Sequence, residues 1–412
     1  MCTKKHKKAV ILLGAGFAKS YGGPSSSEIL GCMKTHSDNF VKDIIKELEE
    51  YYGENNFSFE TVFAVVESLL MYYFSKQLKS GRDANNHTFM PVCYSVQKKI
   101  ESHCHFLFNS DNMAYRFLFQ LFYCMINRLL SFIFQYDNDD YINAHESQYD
   151  NLKDFVKTLR DKGYDLKFYS LNYDRLIPRL FGKDVEESLA EAIPENQIED
   201  NLFEDQEAAK RQFDSNEIEE INSKLLPSKL IGFKYNLQEF CSRPFTHFNL
   251  HGSRYLRVFN NELVFQNDCW GFFQSGYPIA EGGNPGESLH LSPIIVGQSK
   301  SQRSFTQPFK FGFDAFSWDC STCDAFFSFG YSFKDPHINT ILRTYIDDYI
   351  TPIHIVVQQD HPFQYELPEN PWHTRLRDIL SNDIWDKEKS KINPFIDGME
   401  DYLTKKEYQK II

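Results

Sequence analysis

The 412-residue chain has no cysteine framework, no basic surplus, no long unbroken apolar run and no tandem repeat, and each absence narrows what it can be. Nine cysteines are scattered along it, which excludes a disulfide-stapled secreted module. The first residues carry no apolar signal core, so the expectation is a cytoplasmic protein with reduced thiols. Acidic residues outnumber basic ones by 57 to 44, for a net charge of -13, which argues against general nucleic-acid binding through phosphate neutralisation. Lys4, Lys5, Lys7 and Lys8 form a local basic cluster that reads as a solvated terminus rather than a binding tail. The most apolar stretch, 117–134, is interrupted by Gln120, Asn127 and Arg128 and preceded by Arg116. That predicts a buried or interface helix and no membrane span.

What is present points to an α/β protein of more than one lobe, because the length exceeds the roughly 250–300 residues at which a single core stops growing. Strand-length apolar runs at 8–13, 166–171, 246–250, 293–296, 325–329 and 353–357 alternate with helical periodicity near 27–35, 148–162, 308–319 and 336–349. Apolar strands alternating with helices predict a Rossmann-like, mostly parallel sheet covered by helices on both faces. Between about 39 and 136 almost no strand signal occurs, so a large helical insert lobe is expected over 38–144. A hairpin is predicted from 255–259 against 263–265, turning at Asn260-Asn261. The acidic segment at about 183–227, with Glu186-Glu187, Glu199-Asp200, Glu204-Asp205 and Glu217 to Glu220, reads as a solvated insert or loop. Residues 361–412 are expected to form a helical cap or assembly segment. With 38 Phe and 23 Tyr, large aromatic surfaces suit a homo-oligomer.

Short motifs follow the strands in a fixed order. Gly14-Ala15-Gly16-Phe17 follows the first, Ser170-Leu171-Asn172-Tyr173-Asp174 the second, His251-Gly252 a third, and Gly330-Tyr331-Ser332-Phe333-Lys334-Asp335-Pro336-His337 a later one. Small residues after a strand let backbone N–H groups approach a pyrophosphate, and open parallel sheets bind ligands at these carboxyl ends. Together with Gly22-Gly23-Pro24, the set resembles the sirtuin-like NAD-consuming family, and the late stretch is similar to that of bacterial sirtuin-like (Sir2-type) defence proteins. The resemblance covers the sheet core and not the long inserts. It implies a Rossmann NAD-binding domain over 1–37 and 145–360, with Gly14, Ala15, Gly16, Phe17, Gly23, Pro24, Ser170, Gly330, Tyr331 and Ser332 binding NAD as substrate.

Departures from the deacylating branch of that family narrow the activity it implies. Deacylases continue Gly-Ile-Pro-Asp-Phe-Arg where this chain reads Gly23-Pro24-Ser25-Ser26-Ser27-Glu28, and they carry a zinc module of two cysteine pairs where this chain has only Cys320 and Cys323 at pair spacing. One pair does not make a structural zinc site, so no zinc is expected and no metal ligand is assigned. The implied reaction is NAD glycohydrolysis, by an NAD hydrolase that acts as an anti-phage effector of the abortive-infection type. Asn172 would position the ribose or the attacking water, Asp174 would hold sugar hydroxyls or the nicotinamide amide, and His251, with an ordinary pKa of about 6.5, would act as a base.

Plainer readings stand beside these. Asn-x-Asp also caps helices, a His beside Gly is commonly a hydrogen-bonded structural residue, Ser332 also suits a helix cap near Asp335, and Lys300 after the 293–296 strand reads equally as a surface residue. A nucleotide-binding scaffold that senses NAD or ADP-ribose and controls a partner is the alternative from another class; an ADP-ribosyl transferase or deacylase is disfavoured by the departures. The few dozen residues after the last predicted strand are too few for a sensor domain, so a gate in trans is expected. The resemblance names a HerA-type ATPase first, with an Argonaute-type partner still open.

Overall fold

A computed structural model describes residues 7–36, 39–54, 57–77, 111–182, 189–192, 230–259, 262–266, 294–296, 304–346, 352–356, 392–395 and 397–410, with the single residues 185, 300 and 412. Ten strands are present among them: β1 (Lys7–Leu13), β2 (Tyr164–Ser170), β3 (Leu189–Ala192), β4 (Leu230–Phe233), β5 (Phe245–Asn249), β6 (Leu256–Phe259), β7 (Glu262–Gln266), β8 (Ala325–Phe329), β9 (Ile353–Val356) and β10 (Ile392–Phe395). Six of them form one all-parallel sheet in the order β10-β9-β8-β1-β2-β5. The chain runs outward from β1 to β2 and β5, then returns to the other side of β1 for β8, β9 and β10. The strand order therefore reverses at β1, where sheets of this kind bind ligands.

The helices are α1 (Ala15–Ser20), α2 (Ser26–His36), α3 (Asn39–Tyr52), α4 (Phe59–Gln77), α5 (Asp111–Phe134), α6 (Asp139–Ala144), α7 (Asp150–Asp161), α8 (Leu176–Phe181), α9 (Leu237–Ser242), α10 (Phe309–Cys320), α11 (Pro336–Ile346) and α12 (Met399–Thr404). Strand β1 shows why the sheet needs cover on both faces. Successive side chains point to opposite sides, so Val10 and Leu12 enter the core with Phe316 of α10 and Leu342 of α11, while Ala9, Ile11 and Leu13 enter the core with Phe155 of α7 and Tyr402 of α12. All five are at most 1% exposed, and burial of each Ile, Leu or Val is worth about 1.5–3 kcal/mol.

A third core belongs to the helical lobe, where α2, α3, α4 and α5 bury Ile44, Leu48, Phe63, Phe122 and Leu130 together with Tyr173, Ile294 and Val296 from the sheet's rim. Helix α5 is long and apolar enough to cross a membrane by length and composition. Here it lies against α4 and turns Leu118, Phe122, Met125, Ile126 and Ile133 into that core.

Three features differ from the sequence reading. Of the apolar 293–296 stretch, the described residues 294–296 form no sheet strand: Ile294 makes an isolated antiparallel bridge to Gly252 and Ile295 N–H donates to the His251 carbonyl at 2.7 Å, so the segment is tied to the turn after β5 instead. The C-terminal segment adds β10 to the sheet, and its Pro394 is tolerated because β10 is an edge strand. The predicted hairpin forms as β6 and β7, but it joins β4 and β3 in a separate antiparallel sheet of order β3-β4-β7-β6. Most of the acidic insert lies outside the described residues, with 189–192 of it forming β3.

Buried His354 on β9 gives the fold a pH signature. Its ring stacks on Phe327 at 4.9 Å, its Nδ1 lies 2.6 Å from the Tyr402 hydroxyl, and burial pushes its pKa down to about 4. Between pH 6.5 and 4 the unfolded chain therefore binds a proton that the folded chain does not. Stability from this group is complete above 6.5 and falls as pH drops through that window, by up to about 1.4 kcal/mol per pH unit. A His354→Gln chain should show a shallower fall in urea midpoint between pH 6.5 and 4 than the parent; an unchanged profile would mean that His354 is not held neutral.

Candidate functional site

Register brings the motifs to one rim. Leu13 pairs with Ser170 on one side and Phe329 on the other, and Ser170 pairs with Asn249. The segments that follow β1, β2, β5 and β8 thus leave the sheet at one level, and they surround a cleft of about 390 Å³ at the strand-order reversal. Gly14, Ala15, Gly16, Pro24, Asn172, His251, Gly330, Tyr331 and Ser332 line it, and the helical lobe contributes Phe59, Glu60, Ile133 and Tyr136 as the opposite wall.

The glycines act differently from the sequence expectation. Gly14 N–H donates to the Phe329 carbonyl and Gly16 N–H to the Gly330 carbonyl, both at 2.9 Å. These amides join two strand-end turns and are spent on protein. Small residues are required because the turns touch backbone to backbone: a Cβ on Gly14 would lie 2.5 Å from Tyr331 Cα, and one on Gly330, whose φ is +65°, 2.2 Å from Phe17 N. The departure after Gly23-Pro24 is explained locally. Ser25 and Glu28 cap α2 reciprocally, with Ser25 N–H donating to Glu28 Oε2 at 2.6 Å and Glu28 N–H to Ser25 Oγ at 3.2 Å.

Asn172 is held on all sides but one. Its N–H donates to Ser170 Oγ at 3.1 Å, its Nδ2 to the Gly14 carbonyl at 3.0 Å, and its own carbonyl accepts from Asn249 Nδ2 at 2.9 Å. Asn249 also donates to the Asp174 carbonyl at 2.7 Å, so one side chain fixes the turn after β2. The Oδ1 of Asn172 accepts no hydrogen bond among the described residues and belongs to a cleft-lining side chain.

His251 sits at the floor of the cleft, 2% exposed. Its Nε2 lies 3.0 Å from His337 Nε2. Burial, and then the Lys300 charge, hold its pKa well below 6.5. It is therefore a neutral imidazole at neutral pH and a weaker base than its ordinary value implies. Beside it Lys300, 9% exposed, donates from Nζ to Glu60 Oε1 at 2.6 Å and Asp335 Oδ1 at 2.9 Å. Burial pulls the Lys300 pKa down, and the two carboxylates more than restore it; burial likewise raises Asp335, which His251 and Lys300 bring below its ordinary value. Lys300 is no surface residue but a tie between the helical lobe and the segment after β8.

Four predicted residues lie outside the cleft lining. Asp174, 3% exposed, accepts from the Tyr136 hydroxyl at 2.7 Å and from Leu176 N–H at 3.1 Å; it satisfies the first N–H of α8 and steadies a cleft-lining tyrosine, because its carboxylate is turned into protein and not toward a ligand. Phe17 is fully buried, edge-on to Tyr21. Gly23 packs on Ala18 through its N–H, 2.8 Å from that carbonyl. Ser170 contacts Asn172 and orients it. Glu60, Tyr136, Asn249, Asp335 and His337 are additions, the last two from a quoted motif, and Lys300 moves from the surface reading into the site. The Cys320 and Cys323 thiols are buried in the core away from this cleft, and burial pushes the Cys323 thiol up to about 12. No family model matches this chain, and no curated protein matches it in sequence.

Proposed function

We propose that the chain is an NAD glycohydrolase that cleaves the bond between nicotinamide and ribose, releasing nicotinamide and ADP-ribose. The observation that carries this reading is the pinned Asn172 beside His251 in a cleft of about 390 Å³ at the strand-order reversal. That volume falls within the roughly 300–1,000 Å³ of small-molecule sites, and the reversal is where nucleotides bind in sheets of this order.

The chemistry asks little acid–base work of the protein. Nicotinamide leaves as a neutral amine, so its departure needs no general acid; the C1′–N bond breaks with its electron pair going to the ring. What forms is a cationic sugar, stabilised by oriented oxygen dipoles. The Asn172 Oδ1 is such a dipole, held by its Nδ2 bond to Gly14. Water then adds to C1′ and loses one proton, which neutral His251 accepts and passes to solvent. Tyr136, its hydroxyl given to Asp174, presents its ring to the cleft, and Ser332 lines the cleft at the turn after β8. An effector of this kind needs restraint to spare its own cell, and the proposed gate is a trans-acting partner such as a HerA-type ATPase.

Product analysis tests the reaction. Purified chain incubated with NAD should yield nicotinamide and ADP-ribose in equal amounts. Tight NAD binding with no nicotinamide, either alone or with the partner added, would favour the regulatory scaffold instead.

A further inference from the structure

We propose that His251, His337 and Asp335 form a binding site for a divalent cation of the zinc class at the floor of the cleft, and that the bound ion silences the hydrolase proposed above. Silencing rests on that reading; cation binding does not. One ligand atom from each of the three residues lies within 4.8 Å of the others. The two imidazole Nε2 atoms are 3.0 Å apart, and nitrogens each about 2.0–2.1 Å from one ion at 90–110° are roughly 2.9–3.4 Å apart. Two imidazoles and a carboxylate are a donor set suited to zinc, and three protein ligands leave a fourth position for water. His251 and Asp335 both line the cleft, so that position opens onto it.

Asp335 has an outer contact of the kind that orients a ligand, while His337 Nδ1 is buried with no partner among the described residues. Lys300 holds Asp335 through Oδ1, leaving Oδ2 for a cation. The charged groups acting on the imidazoles are Asp335 and Lys300, with Glu60 paired to Lys300 behind them and Lys334 at the exposed rim. Both carboxylates pair with the one buried ammonium, which offsets its charge beside the imidazoles. An ion held by His251 Nε2 occupies the lone pair that would take the proton from water, so hydrolysis and cation binding exclude one another.

The same N···N distance fits a hydrogen bond carrying a single proton, and the test separates the two. Full-length chain, stripped with chelator, is titrated with Co²⁺ followed by visible absorption and with Zn²⁺ by calorimetry. One ion per chain with the d–d bands of a four-coordinate nitrogen and oxygen site is expected. His337→Gln and Asp335→Asn should each weaken Zn²⁺ binding at least about tenfold with unchanged circular dichroism, while Cys320→Ser should not. Equimolar Zn²⁺ should suppress nicotinamide release, chelator should restore it, and His337→Gln should escape suppression. Absence of binding, or binding indifferent to both ligand substitutions, overturns the site; release stimulated by Zn²⁺ overturns the silencing. Absence of nicotinamide with and without the ion, and with the partner added, would sink the hydrolase reading and leave the cation site standing, since the Co²⁺ spectrum requires no NAD.

Discussion

Asn172→Ala is expected to reduce nicotinamide release at least about 10²-fold, the scale on which removal of one preorganised dipole acts, while the fold survives. The structural loss is small and calculable in kind. The substitution removes the Nδ2 bond to the Gly14 carbonyl, worth about 0.5–1.5 kcal/mol, and keeps the backbone contacts to Ser170 and Asn249. A lowered urea midpoint of that size, with retained NAD binding by calorimetry and lost turnover, is the expected triad of results. Turnover within a few-fold of the parent would remove Asn172 from the chemistry. Loss of NAD binding together with turnover would instead give Asn172 a binding role.

Gly330→Ala should be the most damaging single-methyl change among the cleft residues. Its φ of +65° disfavours any side chain, and the added Cβ would meet Phe17 N at 2.2 Å and the Gly16 carbonyl carbon at 2.4 Å. Neither is a flexible side chain, so the turns after β1 and β8 must separate, breaking the Gly16 N–H bond to the Gly330 carbonyl. A loss of roughly 3–5 kcal/mol is expected, a large share of the roughly 5–15 kcal/mol that holds a domain folded. Gly31→Ala provides the internal contrast. Gly31 lies inside α2 with nothing within 4 Å of an added Cβ, so the same change there should raise stability by about 0.5–1 kcal/mol. Urea unfolding of both variants measures the pair; equal stabilities would mean that the two strand-end turns are not in backbone contact.

The linear chain was enough to establish the sheet, its helical cover, the helical lobe and the rim on which Gly14, Asn172, His251 and Tyr331 gather, because strand periodicity and strand-end position are local properties and β1, buried on both faces, declares itself by unbroken apolarity. Distance in sequence hid the rest. Lys300 meets Glu60 across 240 positions and His251 meets His337 across 86, and no spacing rule links such residues. Direction was hidden too: Asp174 sits two residues from Asn172, yet the turn clamped by Asn249 sends its carboxylate to Tyr136 and α8 instead of the cleft. Burial decided the protonation of His251, since desolvation beside the Lys300 charge is a property of the packed floor and not of a histidine in a sequence.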